Sequence, residues 1–180
     1  TAKKNGIKHL ILQNMLNTAV SLKGPSVIRY PRGTGAGIAD FNKDFEILDI
    51  GKSKLEKQGK DICLIALGNT VNICLEASKN LEEKNIKAAV LNMRFLKPFD
   101  ENAVKKIIKT TKKIITVEEN SLIGGMGETV KSILSGTDAE IFSIGLPDIF
   151  IEHGTQSTIR QKYHLSCAEI QSQIIKMLQK

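Results

Sequence analysis

Apolar residues recur along this chain in two alternating patterns, one typical of helices and the other of buried strands. From about Asn5 to Leu22 they recur every three or four positions, which predicts a helix that ends at Lys23-Gly24-Pro25. The apolar segment Ser26 to Tyr30 follows and predicts a short strand. From Glu46 onward, short apolar runs alternate with helical stretches, so the chain changes character after its first strand.

The region after Glu46 has the pattern of an α/β domain. A loose alternation from Glu46 to Leu55 predicts an antiparallel edge strand, joined to the next strand by a tight turn at Gln58-Gly59-Lys60. Ile62 to Leu67 is apolar throughout, which places it at the centre of a sheet buried on both faces. Alternating strands and helices predict a three-layer α/β/α fold, with a mostly parallel five-stranded sheet and one antiparallel edge strand. The other strands are predicted at Ala88 to Met93, Ile114 to Val117 and Glu140 to Ile144. Helices are predicted to open near Asn69 or Thr70, after Asp100, at the turn Gly124 to Gly127 and after Ser166.

Residues 33–45 separate this domain from the first helix and strand. Gly33 to Gly37 resembles a dinucleotide-binding glycine loop, but the segment after it is interrupted by acidic and amide residues. Such a loop opens into an apolar helical stripe, which is missing here, so we interpret residues 33–45 as a linker. The prediction is therefore a helix plus strand in residues 1–32, the linker, and a domain of residues 46–180. The chain starts at Thr1 without an initiator methionine, which suggests a fragment.

Charge and cysteine content narrow the classes of function. The 180 residues include 26 Lys and Arg against 19 Asp and Glu, a net charge of +7, which raises the question of nucleic-acid binding. The densest lysine cluster, Lys105 to Lys113, lies on and just after a predicted helix without interleaved aromatic residues, so a solvated helix face explains it better. Cys63, Cys74 and Cys167 have no CxxC spacing and are expected to be reduced and buried, as in a cytoplasmic protein. No apolar run is long enough to span a membrane, and neither nucleic acid nor a membrane is an expected partner.

The carboxyl ends of the predicted strands carry the residues of chemical interest, because α/β sheets bind ligands there. Gly124 to Gly127, before a predicted helix, offers backbone amides to an anion, but a double glycine is also a simple tight entry into a helix. Glu118 and Glu119 are adjacent in sequence, and we favour a structural pairing of Glu118 with Arg94 over acid–base catalysis. His153 could act as a general base, because histidine is the residue type whose charge changes near neutral pH. It has no nucleophile or metal partner nearby in sequence, so hydrogen bonding in a loop or interface is favoured.

Two arginines at the end of the first strand are the functional lead. Arg29 and Arg32 bracket Tyr30-Pro31, and Gly33 follows them. The proline fixes φ and the glycine lets the backbone turn, so Arg32 is well placed to form a forked contact with a phosphate. Arg29 is the weaker candidate, because a salt bridge or stacking contact that anchors the strand explains it more simply.

Four segments of the chain occur in an order and spacing that point to a known family. They are IRYPRG from Ile28, NMRFLKPFD from Asn92, TVEENSLIGGMG from Thr116 and GLPDIFIEHG from Gly145. In these segments the chain resembles the carboxyl-terminal portion of the 1-deoxy-D-xylulose-5-phosphate synthases, which are similar to transketolase. The resemblance implies that residues 1–32 end a pyrimidine-binding domain and that residues 46–180 form a transketolase-type C-terminal domain.

Enzymes of this family join pyruvate to glyceraldehyde 3-phosphate with loss of carbon dioxide, in the biosynthesis of isoprenoid precursors, thiamine and pyridoxol. The resemblance implies thiamine diphosphate and magnesium as cofactors, held by upstream domains, with none bound in this chain. It also implies a cytoplasmic homodimer, and a fragment that is inactive alone and lacks catalytic residues and metal ligands. The family's arginine that matches Arg32 grips the aldehyde phosphate, with Arg29 as a weaker neighbour.

Two other functions stay open. One is the C-terminal domain of a 2-oxoacid dehydrogenase β-subunit, in which the corresponding region helps to bind an acyltransferase core, although RYPRG and IEHG favour the synthase. The other is a stand-alone regulatory or interaction module that binds a nucleotide or a protein, for which the turn at Gly124 to Gly127 is the best support.

Overall fold

The computed structural model describes residues 6–30 and 45–179. The chain divides into two compact units, Thr1–Ile50 and Gly51–Lys180. The first unit contains helix α1 (Gly6–Ser21), so the helix predicted from about Asn5 to Leu22 is confirmed. The second contains a sheet with helices packed on both faces.

Helix α1 is covered along its polar side. Three of its polar side chains hydrogen-bond to the backbone of residues 45–48, at donor–acceptor distances of 2.8–3.2 Å. Leu16 and Val20, on the opposite side, are exposed, Val20 to 85%. The bonds join Asn14, Asn17 and Thr18 to the backbone of Glu46, Phe45 and Leu48, in that order.

The strand predicted from Ser26 to Tyr30 does not form in this structure. Residues 25–30 are neither helix nor strand, and the side chain of Val27 is 95% exposed. A strand is held by hydrogen bonds from a neighbouring strand. Within the described part of Thr1–Ile50 no second strand is present to supply them.

The sheet of the second unit has the predicted architecture. Its five strands are β1 (Lys54–Lys57), β2 (Ile62–Ala66), β3 (Ala88–Asn92), β4 (Lys113–Ser121) and β5 (Glu140–Leu146). They run in the order β1-β3-β2-β4-β5, so the apolar β2 is central. β1 is antiparallel to β3, and the other neighbours are parallel. The mostly parallel five-stranded sheet with one antiparallel edge strand is therefore confirmed.

The edge strand differs from the prediction in position and partner. It covers Lys54–Lys57 instead of Glu46 to Leu55, because the backbone amides of Glu46 and Leu48 are already bonded to side chains of α1. It pairs with β3 and makes no hairpin with β2. Gly59 lies against the start of β3, and a Cβ at Gly59 would lie 2.3 Å from the amide nitrogen of Ala89. The glycine therefore allows this close crossing.

Five helices complete the second unit. Side chains alternate along β2, so that Ile62 and Leu64 pack on one face of the sheet and Cys63 and Ile65 on the other. The helices are α2 (Thr70–Glu82), α3 (Glu101–Ile107), α4 (Met126–Ile133), α5 (Gln156–Lys162) and α6 (Cys167–Leu178). Helices α2 and α6 cover the first face, and α3 and α4 cover the second, which gives the predicted three layers. Helix α5 was not predicted, since its seven residues include no buried apolar stripe.

Asp100 caps α3, as predicted, and also holds the segment before β1. One carboxylate oxygen accepts from the amide of Ala103 at 3.2 Å, and the other accepts from the amide and hydroxyl of Ser53 at 2.8 and 2.9 Å. Burial alone would raise the pKa of Asp100, but these hydrogen bonds and Lys52 together hold it below its ordinary value of 3.8.

The lowered pKa makes the contribution of Asp100 to stability dependent on pH. A carboxyl whose pKa is lower in the folded than in the unfolded state stabilises the fold above its unfolded pKa. That stabilisation is lost as the pH falls through the lower, folded value. We expect Asp100→Ala to cost about 1–2 kcal/mol at pH 7, the usual range for a lost cap. Urea unfolding at pH 7 and at pH 2 should show a smaller difference between wild type and variant at the lower pH, and an equal or larger one would contradict the capping role.

Candidate functional site

The carboxyl edge of the sheet is where a ligand site is expected. The chain passes from β2 to β3 on one side and then crosses back to β4 on the other side of β2. In open α/β sheets, ligands bind at the carboxyl ends of the strands where the connections diverge in this way. Asn69 follows β2, Arg94 follows β3, and Glu118 and Glu119 lie in β4 near its carboxyl end. The topology therefore brings the residues singled out by sequence to one edge.

Glu118 is completely buried and binds the beginning of helix α4. Its two carboxylate oxygens each accept one backbone hydrogen bond, from the amides of Met126 and Gly127, both at 2.8 Å. A negative charge at a helix N-terminus satisfies amides that the helix itself leaves unpaired. The predicted pairing of Glu118 with Arg94 is therefore wrong. The sequence suggested that the backbone amides of Gly124 to Gly127 could bind an external anion. Two of these amides, those of Met126 and Gly127, already bind the carboxylate of Glu118.

The glycines before α4 are needed for this contact. A Cβ on Gly125 would lie 2.7 Å from Oε1 of Glu118, and one on Gly127 would lie 2.7 Å from the hydroxyl oxygen of Ser143. Neither distance is compatible with a side chain. The pattern Gly-Gly-Met-Gly thus reflects the close approach of the helix start to β4 and β5, and it gives no support to a nucleotide-binding regulatory module.

Glu119 has different partners from its neighbour. It forms an ion pair with Arg160 of α5, and its second oxygen accepts a long hydrogen bond of 3.5 Å from the side-chain amide of Asn69. This pair ties the unpredicted helix α5 to the carboxyl edge. The two glutamates are thus engaged separately, which agrees with the preference for a structural role over acid–base catalysis. Their separation follows from the alternation of side chains along a strand.

Of the other residues proposed from sequence, Arg29 and His153 are exposed. Arg32 lies outside the described residues. Arg29 is described and exposed, in the segment 25–30 that has no regular structure. His153 is exposed in the connection between β5 and α5. Phosphate binding by Arg32 and Arg29 therefore stays a prediction, as does the role of His153.

The cysteines are free, as expected. Cys63 and Cys74 are fully buried, and Cys167 is partly buried at the start of α6. Burial raises the pKa of the Cys63 thiol to about 12, so this thiol is not a nucleophile at neutral pH. Among residues 6–30 and 45–179, no group of three or more His, Cys, Asp or Glu side chains is placed to bind a metal ion, and no helix is long and apolar enough to cross a membrane.

Comparison with known proteins gives a family match and two curated relatives at the level of sequence. A model of the transketolase C-terminal domain matches residues 51–170, which agrees with the second structural unit. A curated relative from Desulforudis audaxviator, a 1-deoxy-D-xylulose-5-phosphate synthase, is 45% identical over 157 residues, 86% of this chain. One of the same name from Heliobacterium modesticaldum is 39% identical over 161 residues, 88% of this chain. The chain spans 25% of the length of each of these relatives.

Solved structures agree with the sequence findings. A chain described as a split-gene transketolase, in an inactive β4 tetramer, is 30% identical and superposes with a TM-score of 0.77. The match covers 92% of this chain and 54% of that one. A Campylobacter jejuni transketolase is similar in fold, with a TM-score of 0.53 and 18% identity over 70% of this chain.

Proposed function

Because the chain belongs to the transketolase C-terminal domain family, we propose that it forms the carboxyl-terminal part of a 1-deoxy-D-xylulose-5-phosphate synthase. The observation that carries this proposal is the name shared by curated relatives that are 38–45% identical over most of the chain. Those relatives are about four times as long, so the complete activity belongs to a longer polypeptide. Residues 1–32 are proposed to end its pyrimidine-binding domain, and residues 33–45 to link that domain to the C-terminal one.

The proposed reaction condenses pyruvate with glyceraldehyde 3-phosphate and releases carbon dioxide. Thiamine diphosphate with magnesium would supply the carbanion chemistry. The described residues do not fit that group, since they offer no metal-binding cluster. The two glutamates at the carboxyl edge are already engaged, Glu118 by the start of α4 and Glu119 by Arg160. We therefore assign the cofactor to upstream domains and expect this chain alone to be inactive.

Arg32 is the proposed contact to the substrate phosphate. A guanidinium presents parallel N–H groups to two phosphate oxygens, and it stays charged at any physiological pH. Arg29, three residues earlier and exposed, is the weaker candidate for the same anion. The remainder of the chain, residues 46–180, would serve as scaffold and interface. A cytoplasmic homodimer is the proposed state of the complete enzyme.

An assay of the full-length protein tests this proposal. The protein that contains this chain should release carbon dioxide from pyruvate only when glyceraldehyde 3-phosphate, thiamine diphosphate and magnesium are present, and mass spectrometry should identify 1-deoxy-D-xylulose 5-phosphate. A ketose phosphate as the required donor would indicate a transketolase instead. Acyl transfer to a lipoyl group would indicate a 2-oxoacid dehydrogenase.

A further inference from the structure

Lysines are concentrated at the amino edge of the sheet, the edge opposite the candidate site. Hydrogen bonds join the segments that enter β2, β3 and β4 there. The amide of Asp61 donates to the carbonyl of Lys87 at 3.1 Å, and the hydroxyl of Thr111 donates to the carbonyl of Asp61 at 3.1 Å. These three strands are neighbours in the sheet. The segments before them therefore lie side by side, at the usual strand spacing of about 5 Å.

Five exposed lysines at this edge form one group, which we call the amino-edge lysines. Lys60 lies two residues before β2, and Lys87 lies immediately before β3. Lys84 follows α2, and Lys106 and Lys109 lie at the end of α3 and just after it. A helix that connects two parallel strands returns the chain to the amino edge, so the ends of α2 and α3 lie near the same edge. Lysines that are distant in sequence thus belong to one face.

The positive charge of the chain is located mainly at this face. Residues 57–61, 81–87 and 105–113 contain nine lysines and three acidic residues, which accounts for six of the net seven positive charges of the chain. No ion pair joins an amino-edge lysine to any residue in the part of the chain that the structure describes. Two nearby carboxylates bind other groups, Glu82 to Lys57 at 2.9 Å and Asp61 to the backbone amide of Lys87 at 2.7 Å.

Stabilisation of helices explains only some of these lysines. A positive charge near a helix C-terminus interacts favourably with the helix dipole, which accounts for Lys84 and Lys106. Lys60 and Lys87 lie in segments that are not helical, so this explanation does not apply to them. The solvated helix face that the sequence favoured for Lys105 to Lys113 concerned one helix alone. Like charges brought together by the fold repel one another, and a bound polyanion would remove that repulsion.

The residue types at this face indicate what kind of polyanion it fits. None of the exposed large apolar side chains lies in residues 57–61, 81–87 or 105–113, and these segments contain no aromatic residue. Protein interfaces and single-stranded nucleic acids are bound through apolar or aromatic anchors, and amphipathic helices bind membranes through inserted apolar side chains. The segments also contain no arginine. Lysine contacts phosphate as a point charge and supplies no forked recognition of bases.

We propose that the amino-edge lysines bind the phosphate backbone of a double-stranded nucleic acid without sequence preference. Backbone contacts of this kind need only positive charges along a face, and they carry no sequence information. The site lies at the opposite edge of the sheet from Asn69, Glu118 and Glu119. It does not depend on the proposed synthase activity.

Fluorescence anisotropy of the 180-residue chain with labelled duplexes of DNA and of RNA tests this site. Both duplexes should bind alike, with a Kd of about 10⁻⁴ to 10⁻⁶ M near physiological salt, because only phosphates are contacted. Five phosphate contacts predict that the logarithm of the association constant falls by about 4.5 for each tenfold rise in salt concentration. The double variant Lys60→Gln/Lys87→Gln should reduce this slope by about 1.8, since two contacts are lost.

Lys52→Gln/Lys97→Gln is the matched control. It also removes two exposed lysines, but from segments near the carboxyl edge, so it should keep the slope of the wild type. Equal slopes for the two double variants would overturn the proposal, as would the absence of binding to both duplexes. Binding to vesicles of phosphatidylserine and phosphatidylcholine in place of the duplexes would also overturn it, because the partner would then be a membrane.

NMR spectra of the wild type give a readout that requires no variant. On titration with the DNA duplex, the backbone amide resonances of Lys60, Lys87 and Lys109 should shift, and those of Lys52 and Lys97 should stay in place. Shifts confined to Lys52 and Lys97 would place the contact at the other edge and contradict the assignment.

Discussion

Replacing Glu118 by alanine should lower the free energy of unfolding of the second structural unit by roughly 3–5 kcal/mol. The variant loses the acceptor for two buried amides, Met126 and Gly127, each now bonded at 2.8 Å. An unpaired buried donor costs about 1–3 kcal/mol, and the vacated side-chain volume adds a cavity term. A loss of this size is a large fraction of the stability of most domains, which is about 5–15 kcal/mol. Chemical denaturation followed by circular dichroism measures it.

Two further variants test whether the loss of stability in Glu118→Ala comes from its buried hydrogen bonds. Glu118→Gln keeps the volume and one acceptor oxygen, so it should recover part of the lost stability. Glu128→Ala removes another carboxylate near the start of α4, one that accepts a 2.9 Å bond from Gly124 at the surface. Because water replaces an exposed partner, its effect should stay below about 1 kcal/mol. Equal losses for Glu118→Ala and Glu128→Ala would show that burial of Glu118 has no special role.

The second large effect concerns Arg32 in the complete enzyme. Arg32→Ala should raise the KM for glyceraldehyde 3-phosphate by about a hundredfold, since a charge-assisted contact contributes up to about 3 kcal/mol and each 1.4 kcal/mol is tenfold. The KM for pyruvate should change less than about threefold, because pyruvate carries no phosphate. Steady-state kinetics with each substrate varied in turn measures both values.

Three variants in residues 23–32 serve as controls for the effect of Arg32→Ala on the two KM values. Lys23→Ala removes an exposed charge upstream of Arg32 and should leave both KM values unchanged. Arg32→Lys keeps the charge but loses the forked geometry, so it should retain part of the affinity. Arg29→Ala should raise the aldehyde KM by less than Arg32→Ala does. A larger effect at Arg29 would reverse the proposed ranking.

The core of the fold was predictable because a strand that is buried on both faces is apolar at nearly every position. Ile62 to Leu67 is apolar at every position, and Ile62–Ala66 forms the central strand. Asp100 and Ser166 stand immediately before apolar helical stripes, and each caps the helix predicted there. Local hydrogen bonding and side-chain period determine these features, so a single sequence contains enough information for them.

The contacts of the candidate site were less predictable because they join distant residues. The sequence does not show which of the adjacent residues Glu118 and Glu119 is buried. Glu118 binds the first amides of α4, so its partner depends on how the start of that helix packs against β4. Glu119 binds Arg160 on α5, a helix without a buried apolar stripe. Gly125 and Gly127 did indicate that another group approaches the start of α4 closely, because glycines leave room for such an approach. That group is the side chain of Glu118 at Gly125, and of Ser143 at Gly127.

The most direct test of the central claim compares two aldehydes in the full-length enzyme, glyceraldehyde 3-phosphate and unphosphorylated glyceraldehyde. The measurement is the ratio of their kcat/KM values in the wild type and in Arg32→Ala. The account predicts a strong wild-type preference for the phosphorylated aldehyde that falls by about a hundredfold in the variant, while kcat/KM for glyceraldehyde stays nearly constant. An unchanged ratio, or no condensation of pyruvate with either aldehyde, would contradict it.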